Sequence, residues 1–123
     1  MKDVMQLYHV AIYLRLSKDD GDISFSDSKK LESNSIHNQR ELLISYLKKH
    51  PEMELYDEYK DDGWTGTNFE RPDFRRMMED VRAGKVNCIL VKDLSRFGRD
   101  YIECGKYIEK IFPQLGIRFI ALN

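Results

Sequence analysis

Apolar and polar residues alternate from His9 to Ser17, which predicts a β-strand because successive strand side chains point to opposite faces. One face carries Val10, Ile12, Leu14 and Leu16, and the other carries Ala11, Tyr13, Arg15 and Ser17. The second face changes from apolar to polar along the chain, so we expect the strand to end with Arg15 and Ser17 at the margin of the core.

A loop and then a helix are predicted after this strand. Residues 18–34 are rich in Asp, Ser and Lys and contain few bulky apolar side chains, which favours a long, mobile loop. Ser35 is a candidate N-cap for a helix that runs to about His50 and is closed by Pro51. Its apolar positions recur at helical spacing: Ile36, Leu43, Tyr46 and Leu47. Gln39 lies on or beside that apolar face.

A second strand, near residues 55–59, leads into the segment 61–66, where two glycines and small polar residues predict a tight turn or loop. The next helix opens at Arg71-Pro72-Asp73, because proline suits the first helical turn and aspartate favours the helix dipole there. Its buried stripe is predicted to contain Phe74, Met77, Met78 and Val81, and Gly84 is a suitable C-terminal cap.

The run Cys88-Ile89-Leu90-Val91 is continuously apolar, as expected of a central strand that is covered on both faces. A third helix is predicted to carry the apolar residues Ile102, Ile108, Ile111 and Phe112 and to end at Gly116, and a last strand covers residues 117–122. Strands that alternate with helices predict an α/β fold, here a three-layer α/β/α sandwich around a mainly parallel sheet.

Composition narrows the kind of protein expected. The chain has 123 residues, 41% of them hydrophobic, which suits one domain over residues 1–123. Its formal net charge of -1 argues against a self-sufficient DNA binder. Cys88 and Cys104 form no CxxC pair, so neither a zinc site nor a disulfide framework is indicated. No apolar run could span a bilayer and no signal peptide is evident, so we expect a cytoplasmic protein without a membrane partner.

Three polar stretches are predicted to meet at one edge of the sheet, because functional groups gather beyond the carboxyl ends of parallel strands. Ser17, the segment 62–65 and the segment 95–99 each follow a predicted strand. Arg15 shares a strand face with Ser17, and Arg96 and Arg99 are one helical turn apart. A hydroxyl beside several guanidinium groups suits phosphoryl transfer, in which cationic donors offset the charge on the phosphate oxygens.

These residues resemble the catalytic domain of serine recombinases, the resolvase and invertase family. The segment Tyr13-Leu14-Arg15-Leu16-Ser17 is similar to the family's Tyr-x-Arg-x-Ser nucleophile motif. Residues 62–66, which include Asp62 and Thr65, are similar to its Asp-x-x-Ser/Thr-Gly loop, and 96–99 to its paired arginines. Gln39 and Arg71 match the family's helix glutamine and the arginine that follows the loop. The long 18–34 segment looks more like the large serine recombinases of mobile elements.

The resemblance implies an enzyme of site-specific DNA recombination or integration. Ser17 would form a 5'-phosphoserine bond with DNA, and strands would exchange within a tetramer. The freed 3'-hydroxyl would then attack the phosphoserine bond and rejoin the DNA. The implied catalytic residues are Ser17, Arg15, Arg96, Arg99, Gln39 and Asp62, and the implied substrate-binding residues are Arg71, Thr65 and Tyr13. No cofactor or metal is implied. Ser95 stands where small resolvases usually have aspartate, so no acid or base is assigned there.

The family's large members also carry a C-terminal DNA-binding region, so the resemblance implies that this chain is a fragment. The implied partners are double-stranded recombination sites and further copies of the protein, first as a dimer and then as a synaptic tetramer. The fragment alone is expected to be inactive.

Two other functions fit parts of the pattern. A non-catalytic flavodoxin-like signalling or interaction domain would have the same alternation of strands and helices, but it requires acidic residues at the strand ends without the arginines. A metal-dependent nuclease would use Asp19, Asp20, Asp61 and Asp62, although nothing in the sequence fixes the geometry of the first two.

Overall fold

The computed structural model describes residues 7–15, 25–61, 71–98 and 101–123, with the backbone alone for 25–35 and 101. The strands are β1 (Tyr8–Arg15), β2 (Met53–Asp61), β3 (Cys88–Val91) and β4 (Arg118–Ala121). The helices are α1 (Phe25–Lys48), α2 (Pro72–Arg82), α3 (Leu94–Phe97), α4 (Tyr101–Lys106) and α5 (Phe112–Leu115), with a π-helical segment, Tyr107–Ile111, between the last two. No helix among these described ranges is long and apolar enough to cross a membrane.

The four strands form one parallel sheet in the order β2-β1-β3-β4, so β1 and β3 are its inner strands. Helix α1 packs on one face, where Ile36, Leu43 and Leu47 join the even-numbered residues of β1. Helix α2 and the 101–115 helical region cover the other face. The predicted α/β/α sandwich is confirmed, and the alternation within β1 and the two-sided burial of β3 follow from it.

A bulge in β2 determines which of its side chains face which helix layer. The register with β1 shifts between Val10 and Ala11, where one residue of β2 is skipped. Met53, before the bulge, packs on the α1 side, whereas Tyr59, after it, packs on the α2 side. Because the side-chain period of a strand is two, one extra residue exchanges the faces. Asp61 therefore pairs in register with Arg15.

Helix α2 agrees with the sequence prediction in detail. Pro72 occupies its first turn, Asp73 is the acidic residue there, and the predicted apolar stripe is buried. The backbone at Gly84 has a φ of +79°, the left-handed conformation that closes a helix and that glycine adopts without strain.

The predicted loop over residues 18–34 is wrong for its second half. Helix α1 begins at Phe25, so Ser35 lies inside the helix and is not its N-cap. Residues 25–34 contain neither glycine nor proline, and a helix that already exists gains one hydrogen bond for each residue it adds. Residues 18–24 lie outside the described part of the chain.

The predicted third helix is divided into shorter segments, and its four apolar residues do not share one buried face. Phe112 is buried and Ile108 and Ile111 pack against the core, but Ile102 is 73% exposed. The backbone N–H of Phe112 bonds to the carbonyl of Tyr107, five residues earlier, directly before Pro113. A proline ring clashes with the carbonyl four residues before it, and a wider turn relieves that clash. Ile102 lies six residues before Ile108, about 120° away around an α-helix, so Cys104, four residues before Ile108, occupies the buried position instead.

Candidate active site

Five of the nine predicted site residues fall in the described part of the chain, and all five lie at or near the carboxyl edge of the sheet. They are Tyr13, Arg15, Gln39, Arg71 and Arg96. The other four, Ser17, Asp62, Thr65 and Arg99, lie outside the described residues. The five described residues lie around the end of β1, two residues before the predicted nucleophile in sequence.

The backbone at the end of β1 is held by two side chains from different layers. The Gln39 side chain of α1 accepts from the Arg15 N–H through Oε1 at 3.3 Å and donates from Nε2 to the Arg15 carbonyl at 3.1 Å. Arg96 Nη1 donates to the same carbonyl, also at 3.1 Å. Gln39 is only 1% exposed, because it lies on the apolar face of α1 as predicted. The amide thus satisfies backbone groups at the end of the strand, two residues before Ser17.

The side chain of Arg15 is fully buried and is held by the backbone of α3. Its Nε donates to the Arg96 carbonyl at 3.1 Å, and its Nη2 donates to the Ser95 carbonyl. Arg15 and Arg96 therefore interlock, since each guanidinium donates to the other residue's carbonyl. The prediction that these two arginines meet at the strand end agrees with this geometry.

Arg71 uses the next carbonyl of the same short helix. Its Nη2 donates to the Phe97 carbonyl at 2.8 Å, and the residue is 8% exposed. The guanidinium carbon lies 5.4 Å from the centre of the Tyr13 ring and 5.2 Å from that of Phe74, a cation–π geometry. Successive carbonyls of Ser95, Arg96 and Phe97 thus hold two buried cations, as the negative end of a helix dipole favours.

Tyr13 is connected to this group through Asp61, which was not among the predicted recombinase site residues. The Tyr13 hydroxyl donates to Asp61 Oδ2 at 2.8 Å. Burial raises the pKa of this hydroxyl far above its usual range; the nearby Arg71 charge acts in the opposite direction, and Asp61 adds to the rise. Tyr13 is therefore a neutral hydrogen-bond donor across the physiological range.

Asp61 also holds the first turn of α2. Its Oδ1 accepts from the Asp73 N–H and its Oδ2 from the Phe74 N–H, both at 3.0 Å. Arg71, at the N-cap position, forms no side-chain cap, so a carboxylate from β2 performs that task. The sequence signal was an aspartate at the end of a strand, but a spacing of twelve residues does not suggest a cap.

Asp93 and Ser95 form a local pair at the start of α3. Asp93 Oδ1 accepts from the Arg96 N–H at 3.1 Å and from the Ser95 hydroxyl at 2.6 Å. Asp93 is therefore the N-cap of the helix whose carbonyls hold Arg15 and Arg71. The position that small resolvases usually fill with aspartate contains an exposed serine bonded to a carboxylate two residues earlier.

Taken together, these contacts make a rigid cationic platform at the end of β1. Three buried or partly buried guanidinium groups, those of Arg15, Arg71 and Arg96, are fixed by backbone carbonyls from β1 and α3. Such pre-positioned cations suit stabilisation of charge on a phosphate. Asp61, which the nuclease alternative needs as a metal ligand, already accepts three hydrogen bonds and is 6% exposed.

Comparison with known proteins identifies the family. The model of the resolvase N-terminal domain matches residues 10–123, nearly the whole chain. No curated protein matches at a significant level.

Solved structures agree with the family match. The N-terminal catalytic domain of TP901-1 integrase is 27% identical with a TM-score of 0.73, and the alignment covers 94% of this chain and 77% of that one. A resolvase family site-specific recombinase from Streptococcus pneumoniae is also 27% identical, with a TM-score of 0.69 and coverage of 94% and 72%. The C-terminal catalytic domain of ISC1926 TnpA, an IS607-like serine recombinase, shares the fold at 21% identity, a TM-score of 0.71 and coverage of 94% and 67%. The chain belongs to the resolvase N-terminal domain family and is a serine recombinase catalytic domain, an enzyme of site-specific recombination.

Proposed function

We propose that Ser17 is the nucleophile of this recombinase. Its Oγ attacks the phosphorus of a DNA phosphodiester, and the bond between phosphorus and the 3' oxygen breaks. The protein is then joined to the 5' phosphate, and the 3'-hydroxyl leaves with a proton. After strand exchange, a 3'-hydroxyl attacks the phosphoserine and releases Ser17, so the reaction conserves the number of phosphodiester bonds and needs no external energy source.

The interlock of Arg15 and Arg96 is the observation that carries this proposal. Both guanidinium groups are held at the end of β1, and Ser17 follows Arg15 by two residues in the sequence. A phosphate bound by Ser17 would meet cations whose orientation is already set, so little reorganisation is required in the transition state. Arg15 therefore both anchors α3 and supplies positive charge to the site.

The remaining site residues take roles that the family resemblance implies. Gln39 fixes the backbone from which Ser17 extends, and Arg99 joins Arg15 and Arg96 in binding the phosphate. Asp62 and Thr65 act from the segment after β2. Arg71 and Tyr13 form the wall of the site on the α2 side, where they contact each other.

The substrate is double-stranded DNA that carries recombination sites, and the working form is a dimer that pairs into a synaptic tetramer. A net charge of -1 supports the view that most of the DNA affinity comes from a DNA-binding region beyond this catalytic domain. Two free, buried cysteines suit a cytoplasmic location, where the substrate DNA lies.

Trapping the covalent intermediate tests the proposal. A full-length protein containing this chain, incubated with its cognate duplex and quenched in detergent, should yield an adduct in which the protein is joined to the 5' phosphate at the break. Ser17→Ala should abolish the adduct, because alanine has no nucleophilic oxygen. Ser45→Ala, on the exposed side of α1, is the matched control and should leave the adduct yield unchanged.

Two outcomes would contradict this assignment. One is an undiminished adduct in Ser17→Ala. The other is DNA breakage without any adduct that stops when a chelator is added, as the nuclease alternative requires.

A further inference from the structure

Asp61 is a buried carboxylate that connects three parts of the fold beside the proposed site. It lies at the end of β2, accepts from the Tyr13 hydroxyl of β1, and accepts from two backbone N–H groups of α2. A carboxylate that is 6% exposed is costly to bury unless hydrogen bonds compensate it, and here three of them do. Such a group specifies one arrangement of its partners.

We propose that Asp61 is a positioning residue for strand cleavage, which orients Arg71 and Tyr13 without touching DNA. This inference rests on the proposed function, because it assigns a role within that reaction. The argument has two steps, one through α2 and one through Tyr13.

The first step concerns the direction of the Arg71 side chain. Arg71 is the residue immediately before α2, and its extended backbone is followed by the N–H groups of Asp73 and Phe74 that Asp61 binds. Arg71 Nη2 reaches the Phe97 carbonyl across the site. If the first turn of α2 shifts, the guanidinium shifts with it, because its backbone is fixed at the same point.

The second step concerns the contact between Tyr13 and Arg71. The Tyr13 hydroxyl is hydrogen-bonded to Asp61, and the centre of the Tyr13 ring lies 5.4 Å from the Arg71 guanidinium carbon. Phe74, whose N–H also binds Asp61, contacts the same guanidinium with its ring. One carboxylate therefore sets both aromatic walls around Arg71.

Asp80 offers a matched control on the same helix. It accepts from the Tyr59 hydroxyl at 2.6 Å, so it forms the same kind of tyrosine–aspartate bond between β2 and α2. It lies two turns along α2 from the residues that Asp61 binds. Asp80→Asn should disturb packing of α2 on the sheet while leaving Arg71 in place.

The experiment measures adduct formation by the full-length protein with Asp61→Asn, Tyr13→Phe or Asp80→Asn, normalised to the folded fraction from circular dichroism. Rates are taken at saturating DNA and across a DNA titration. We expect Asp61→Asn to lower the saturating rate at least about tenfold, since small misplacements of catalytic groups have effects of that size. Tyr13→Phe should lower it in the same direction. The DNA concentration for half-maximal rate should change less than about threefold, and Asp80→Asn should stay within about twofold of wild type.

Equal loss of rate in Asp61→Asn and Asp80→Asn would overturn the inference, because it would show general loosening of α2. If Asp61→Asn does not fold, Tyr13→Phe decides: a rate within about twofold of wild type contradicts the coupling. These results are distinct from failure of the proposed function, in which the wild-type protein itself forms no adduct.

Discussion

At the scale of single residues, the proposed function gives Arg15 two tasks that usually fall to different side chains. It is wholly buried, its backbone is bound by Gln39 and Arg96, and its guanidinium is bound by the carbonyls of α3. In the proposed reaction, such a buried cation contributes to folding and to chemistry together. Its effects on the two must therefore be separated by measurement.

Arg15→Lys should reduce both stability and activity. Lysine carries a point charge and lacks the planar fork that reaches two carbonyls at once, so a buried acceptor loses its donor. We expect a loss of about 1–3 kcal/mol in the free energy of unfolding, measured by urea denaturation, and a large loss of adduct. Arg118→Lys, at an exposed position at the start of β4, should change stability by about 0.5 kcal/mol or less. Equal effects of the two variants would contradict this account.

Cys88 predicts how stability depends on alkaline pH. Burial raises the pKa of its thiol to about 11, against an opposing influence from Arg118. The unfolded thiol ionises at lower pH than the folded one, so this contribution to stability is present below about pH 9 and is lost as the pH rises toward 11. The slope should reach at most about 1.4 kcal/mol per pH unit.

Urea denaturation of wild type and Cys88→Ala at pH values of about 8, 9 and 10 measures this slope. These pH values lie on either side of about 9, where the unfolded thiol ionises. Alanine has no ionisable group, so the difference in unfolding free energy between the two proteins should shrink as the pH rises. A constant difference would show that the thiol ionises equally in both states.

At the scale of helices and strands, two glycines of the C-terminal helical region should respond oppositely to alanine. Gly105 is inside α4, and a Cβ there would meet no atom within 4 Å, so Gly105→Ala should stabilise the chain by about 0.5–1 kcal/mol. Gly116 ends α5 with a φ of +72°, so Gly116→Ala should destabilise it by about 1 kcal/mol through backbone strain. Thermal unfolding of both variants checks the pair, and shifts of the same sign would contradict it.

The elements that local pattern determines were predictable. The stripe of α2, its proline start and the apolar run of β3 each depend on residues close together in sequence, and all three were confirmed. The errors arose where a non-local or unusual feature intervened. The wider π-helical turn before Pro113 divides the predicted third helix, and the extension of α1 depended on a helix continuing through polar residues.

Within the described part of the chain, the positions of the candidate residues were more predictable than their contacts. Tyr13, Arg15 and Gln39 could be placed because strand and helix periodicity orients them. Asp61 could not be recognised as a cap, because its position depends on the bulge in β2. The residue types of that strand do not indicate where the bulge lies. Likewise, the binding of Arg15 and Arg71 by backbone carbonyls could not be predicted from residue types, because every residue has a carbonyl.

At the scale of the whole molecule, the net charge bears on how tightly the isolated domain binds DNA. A net charge of -1 argues against a broad positive surface of the kind that drives counterion release. The isolated chain should bind duplex DNA with a Kd of about 1 µM or weaker at about 0.15 M salt, as measured by fluorescence anisotropy. Nanomolar affinity under these conditions would mean that the catalytic domain holds DNA by itself.

The order of strands in the sheet has a consequence for biosynthesis. The first of the described strands, β1, has residues 10–15 wholly buried, yet its neighbours are β2 and the much later β3. A ribosome exposes this apolar segment early, and the partner for its second edge exists only after Val91 has been translated. An unpaired edge invites contact with other chains. The second edge of β1 therefore stays unpaired in the nascent polypeptide at least until β3 has been translated.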